Sequence, residues 1–315
     1  MVDQASANAP LTMEGAAGEA FRKRDRSFVL TTATIVFVLS MIVIFIAFVL
    51  LNRQGIAAYM DYTMQMAAQG PNAQPAMPPP EVMGLVPAYF LTTVIIYLLF
   101  AAYEAGCLRW LIHGEQASFV GLDFGAPMLR VWFGYWCWLI LLILFYIALV
   151  IAIVVATAIT VGGRSAPGTV ALTGIVVSLV MALLLSALAV RFAPAAALSV
   201  AKRRFAFFDA WKVTRDKFWS LFGAFALIFV LYIFAVIVLF VVGAFVVFGA
   251  AAGHLASVQG TPDPTALMTA LSQPSAWISA LVLYGIYFVV AFAFVLALYG
   301  VNARAAMVAK ANGEI

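Results

Sequence analysis

Charge is scarce in this 315-residue chain: Asp, Glu, Lys and Arg together make up 10% of it, against about a quarter in soluble domains. That shortage excludes an ordinary water-soluble globule. Histidine and cysteine occur only twice each, at His113, His254, Cys107 and Cys137. Two thiols alone cannot close a zinc site, and no HExxH, nucleophile elbow or phosphate loop appears. The two histidines fall on opposite sides of the membrane in the topology argued below, and both cysteines fall on its reducing side. We therefore expect no disulfide, no metal or other cofactor, and no enzymatic activity.

What the chain does have is apolar length. It is 66% hydrophobic with a mean hydropathy of +1.09, the composition of an all-α, polytopic membrane helical bundle. Six uncharged runs are long enough to cross a bilayer, at about 28–51, 85–103, 131–161, 169–190, 221–252 and 277–299. The first run is 24 residues long, beyond the roughly 7 to 15 of a signal-peptide core, so it reads as a retained span. Residues 1–27, rich in Ala, Gly and polar groups without an apolar period, read as disordered, and 300–315 as a tail.

Orientation follows from the basic residues. With six spans, fifteen of the 17 Lys and Arg fall on the side of both termini and two on the other, so both termini are expected in the cytoplasm. This distribution also accounts for the basic pI without nucleic acid. Seven of the seventeen lie between Arg191 and Phe222, interleaved with Phe205, Phe207, Phe208, Trp211, Phe218 and Trp219. Such a stretch predicts a helix lying on the membrane surface. Lys202, Arg203, Arg204, Lys212 and Arg215 are its candidate contacts to anionic lipid head groups or a partner membrane protein.

Other segments carry weaker signals. Met60, Met64, Met66, Met77 and Met83 enrich the first connection, where Ile56 to Ala68 fits a short amphipathic helix. Without His or Cys beside them, these residues read as packing groups and not as a copper site. Tyr103, Glu104, Cys107, Arg109, Trp110, His113 and Glu115 form a polar cluster after the second span, read as interface anchoring and ion pairing. Laying the second loop on the fourth at an offset of 86 pairs Phe119 with Phe205 and Asp123 with Asp209. That suggests a repeat of span, surface helix and span, in which Glu104 and Arg191 occupy similar positions. They are a candidate structural ion pair. Asp263 to Leu271 reads as a short helix with Asp263 as its N-cap and Pro264 at the first helical position.

Arg191, Pro194, Ala195 and Ala196, then Asp209, Ala210, Trp211, Lys212, Val213, Thr214 and Arg215 with Trp219 opening the next span, resemble the membrane domain associated with glycerophosphoryl diester phosphodiesterases. Related bacterial inner-membrane proteins share the pattern. About 35 residues carry the likeness closely, and Phe207 to Asp216 stands where that family has a Ser, small residue, aromatic, basic and Leu-Thr-Arg-Gly run, without the Gly. The resemblance implies a bacterial inner membrane. It implies no catalysis, because that family's chemistry belongs to a separate soluble barrel of over about 200 residues, for which the chain has no room.

Two functions then compete. One is a non-enzymatic scaffold or accessory component that binds partners or lipid head groups at the cytoplasmic face. The alternative is a transporter of a neutral or lipid-like substrate along hydroxyls such as Thr92, Thr93, Tyr97, Tyr146, Ser178, Ser186, Tyr232, Tyr284 and Tyr287. The absence of charge from the middle of all six spans weighs against an ion or proton path.

Overall fold

A computed structural model describes residues 11–21, 28–69, 77–162, 167–255 and 274–315. Among them the protein is all-α, without strands. In lipid no water can satisfy a peptide group, so an uncharged apolar run closes its own hydrogen bonds as a helix. The elements are α1 (Met13–Ala17), a 3₁₀ turn (Glu19–Phe21), α2 (Val29–Leu51), α3 (Arg53–Gln69), α4 (Pro80–Met83) and α5 (Leu85–His113). Then follow α6 (Ala126–Gly162), α7 (Pro167–Phe192), α8 (Ala195–Ala201), α9 (Asp209–Val213), α10 (Phe218–Leu255) and α11 (Pro274–Ala311). Helices α2, α5, α6, α7, α10 and α11 are each long and apolar enough to span a bilayer. The protein is a multi-pass integral membrane protein.

Several of these helices outrun the membrane. The 38 residues of α11 reach about 57 Å, against about 30 Å of hydrocarbon. The tightly packed core lies at one end of the bundle, where the last turns of α11 are buried. Phe37 of α2 stacks on Tyr103 of α5 with ring centroids 4.6 Å apart, and Phe292 of α11 meets both rings edge-on. Beyond this end the spans turn Leu183, Phe234, Phe240 and Phe245 outward, the faces expected of helices that meet lipid chains.

Four segments close the packed end: the one before α2, the α5–α6 connection, the α7–α10 connection and the end of α11. Their contacts correct several expectations. Residues 12–21 are not disordered. Thr12 caps α1 by accepting from the Gly15 amide at 3.2 Å, and Ala16, Glu19 and Ala20 are buried. No apolar period marks this segment in the sequence, because what lets it pack is small size. A Cβ on Gly300 would lie 2.7 Å from the Ala20 nitrogen, so Gly300 lets the 3₁₀ turn lie directly on α11. Nor do residues 300–311 form a separate tail, since they continue α11 into the core, with Val301, Ala303 and Ala305 fully buried.

The stretch from Arg191 to Phe222 is not one surface-lying helix. Pro194, which lacks an amide hydrogen, separates α7 from α8, and α8 inserts Ala197, Leu198 and Ser199 into the core. The α5–α6 connection contains no short helix to match it, so the two supposed repeat units differ in build. Glu104, Cys107 and Arg109 lie inside α5, which runs ten residues past the expected end at 103. Arg22, Lys23, Arg24, Arg26 and the Asp263 to Leu271 segment lie outside the described residues.

Candidate functional site

The last turn of α5 begins the site. Arg109 and His113 are four positions apart and so share a helix face. Gly114 then ends the helix at φ 67°, its amide donating to Trp110 O at 2.9 Å, a left-handed cap that glycine adopts without a Cβ clash. The turn brings Glu115 back beside Arg109, whose Nε donates to Glu115 Oε2 at 3.1 Å. The following loop folds under α5. Asp123 donates its amide to Ala102 O at 3.0 Å, and its carboxylate accepts from the Gly125 amide and from Arg109 Nη1 at 3.3 Å.

That loop can lie so close because α5 carries Gly106. A Cβ there would stand 2.2 Å from Gly121 O, and one on Gly121, itself at φ 78°, would stand 2.8 Å from Ala33 Cβ. Three small residues therefore set the spacing of α2, the loop and α5. This anchors Asp123 and, through it, Arg109.

The α7–α10 connection supplies the other wall. Arg203 follows α8 in the left-handed region, at φ 54°, where a side chain other than glycine costs about 1–2 kcal/mol. From there its Nη2 reaches Glu115 Oε1 at 2.8 Å, across 88 positions of sequence. His113 Nε2 faces Val200 O at 3.4 Å. Arg130, on the second turn of α6, completes a cavity of about 170 Å³ lined also by Arg109, His113, Glu115, Pro127, Val200 and Arg203.

The charges do not cancel. Glu115 sits between Arg109 and Arg203, and Arg109 holds its carboxyl below the ordinary carboxylate range. Asp123 is taken up by Arg109. Arg130 has no ion pair among the described residues. Its guanidinium thus brings unused donors to the cavity wall, and Arg203 has donors beyond the one given to Glu115. Planar guanidinium groups of this kind match the geometry of phosphate and carboxylate oxygens.

The five basic residues expected to contact lipid fare differently. Only Arg203 lines this cavity. Lys202 donates to Asp209 Oδ2 at 2.5 Å, and Arg204 stands 3.8 Å from the same oxygen. The Lys202 hydrogen bond and the nearby Arg204 and Lys212 charges keep the Asp209 carboxyl below its usual range. Lys212 and Arg215 are exposed and have no ion pair among the described residues. Arg109, His113 and Arg130 do not stand out as ligand groups in the sequence, because the cavity joins three segments far apart in it. The signal that existed was the Arg109 and His113 spacing at the end of an apolar run.

The expected pair of Glu104 with Arg191 does not form. Glu104, 7% exposed, accepts from the Tyr135 hydroxyl at 2.6 Å. Arg191 instead lies over two aromatic rings, 5.3 Å from Trp211 and 5.0 Å from Phe218. An arginine in an aromatic interface gains cation–π attraction and stacking area there. Equivalence in a sequence offset did not bring the two side chains together.

No known protein family, curated protein or solved structure matches this chain.

Proposed function

We propose that the protein is a non-enzymatic accessory component of a bacterial inner membrane, with both termini cytoplasmic, which binds the phosphate head groups of anionic lipids. The observation that carries this reading is the cavity walled by Arg109, Arg130 and Arg203, with the Arg130 guanidinium unpaired among the described residues. Basic groups at the cytoplasmic leaflet meet a negative surface potential, and each adds about 1 kcal/mol to the attraction. The sidedness rests on the fifteen-to-two distribution of Lys and Arg. The bacterial setting rests on the resemblance around Asp209 to Arg215.

The test is a lipid titration of the purified protein, following its melting temperature. Phosphatidylglycerol is expected to raise it well above phosphatidylcholine, and the Arg130→Gln/Arg203→Gln double variant is expected to lose most of that difference. Equal responses to the two lipids would reject the reading. Sidedness is checked by a cysteine replacing Met77, which is exposed and should react with an impermeant thiol reagent from outside. One replacing Lys212 should not.

A second reading, transport of a neutral or lipid-like molecule, draws support from a cleft of about 460 Å³ between α5 and α6. Thr93, Tyr97, Trp132, Tyr135 and Trp138 are among its walls, so it joins hydroxyls to a largely aromatic surface. Uptake of such a molecule into vesicles that fell on Tyr97→Phe, with folding intact, would favour transport over binding.

A further inference from the structure

Arg130 belongs to two cavities. Besides the polar one, it heads a groove of about 630 Å³ on the outer face of α6, lined by Leu129, Phe133, Cys137 and Ile140, with Phe205 of the α8–α9 connection forming its far wall. These α6 positions recur at three, four and seven residues, so they form one stripe. From Ala126 to Ile140 the stripe runs about 21 Å, longer than the half-thickness of about 15 Å that an acyl chain covers in one leaflet. Phe133 and Ile140 are more than half exposed, so the stripe is open to lipid.

Any span touches lipid along its apolar face. This one differs in its upper end, where an overhanging Phe205 gives the stripe a side wall and Arg130, without an ion pair among the described residues, gives it a head. A polar compartment with cationic walls thus joins an apolar slot through a single residue. That order of chemistry, anionic group then hydrocarbon, is the order in a phospholipid.

We infer that α6 and Phe205 hold one acyl chain of an anionic phospholipid whose phosphate sits against Arg130, making this a defined lipid site. The inference rests on the head-group reading above and adds to it a place for the lipid's acyl chain. A free phosphate would satisfy Arg130 and Arg203 and leave the groove unused. Charge complementarity selects the anionic lipid over a zwitterionic one, whose ammonium group the three arginines would repel.

Photo-crosslinking tests this on the full chain in nanodiscs, with phosphatidylglycerol bearing a diazirine on its acyl chain and adducts mapped by mass spectrometry. Adducts should concentrate between Leu129 and Ile140 and at Phe205. Unlabelled phosphatidylglycerol should compete, and phosphatidylcholine should not. Arg130→Gln should reduce the adducts about tenfold, the factor that corresponds to one lost charge-assisted hydrogen bond of about 1.4 kcal/mol, and Arg130→Lys should restore part of them. If Arg130→Gln does not fold, the competition in the wild-type protein decides alone. Adducts spread evenly over the outward faces of all six spans, with the melting shift from phosphatidylglycerol intact, would overturn the groove and leave the head-group pocket standing. Inorganic phosphate that abolishes the melting shift without touching the adducts would likewise overturn the groove alone. If the melting shift is also absent, both ideas fail.

Discussion

The Tyr135 hydroxyl on α6 donates to Glu104 Oε2 on α5 at 2.6 Å, and this bond ties the two helices together where Glu104 is buried. A buried acceptor stripped of its donor costs about 1–3 kcal/mol. Tyr135→Phe should therefore lower stability by that amount, and Glu104→Gln, which keeps an acceptor oxygen, should cost less. Because Arg191 is engaged with Trp211 and Phe218, Glu104→Gln and Arg191→Gln should add within about 0.5 kcal/mol. Fluorescence-monitored melting of the two single variants and the double variant checks this, and a coupling of several kcal/mol would restore the ion pair.

Close backbone approach makes a sharper contrast. Gly106→Ala places a methyl group 2.2 Å from Gly121 O, a backbone atom that cannot rotate away. Overpacking of this kind costs about 1–3 kcal/mol. Gly174→Ala in α7 meets nothing within 4 Å and should be neutral or stabilise by up to about 1 kcal/mol, the helix preference of alanine over glycine. Melting temperatures of the two alanine variants test the difference directly.

The contrast marks where sequence reasoning runs out. The spans were legible because lipid imposes length and apolarity on every residue between Val29 and Leu51. The packed end was not. Gly106, Gly121 and Ala33 are ordinary residues in the chain and matter only through one another, and Ala16 and Ala20 carry too little side chain to show an apolar period. The site suffered the same way. Arg109 read as an anchor because its partner Asp123 lies fourteen positions on, and Arg203 and Glu115 meet across 88. Local periodicity holds no record of such pairs.

The segment before α2 offers a test of its own. Glu19 and Arg304 lie 4.0 Å apart and both are almost wholly buried. Removing the carboxylate takes a charged contact from a buried guanidinium, at about 1–3 kcal/mol. Glu19→Ala should approach that loss, whereas Glu14→Ala, at an exposed position of α1, should stay within about 0.5 kcal/mol. Similar melting of the two variants would mean that the segment adds nothing to the fold.

Acid should open the α8–α9 connection late. Lys202, with Arg204 and Lys212 behind it, holds the Asp209 carboxyl below its unfolded value, which is about 3.9. A depressed carboxyl contributes its stability above the unfolded value and loses it as pH falls through the folded one. The clasp should thus be intact from neutral pH down to about 4 and fail only below that. Asp209→Asn should remove this acid limb of the stability profile while leaving the neutral-pH lipid response in place. A limb that persists in Asp209→Asn would assign it to another carboxyl.

Arg203 lets backbone and side chain be separated. Its φ of 54° suits glycine, so Arg203→Gly should relieve about 1 kcal/mol of strain, while Arg203→Ala keeps the strain. Both lose the reach to Glu115 at 2.8 Å and the wall of the cavity. The glycine variant should therefore melt higher than the alanine variant, yet both should lose the same share of the stabilisation that phosphatidylglycerol confers. A strained backbone kept for the sake of its side chain is a mark of a site selected for binding over stability. If the glycine variant bound lipid as well as the wild-type protein, the side chain would have no part in recognition, and the strain at Arg203 would need another cause.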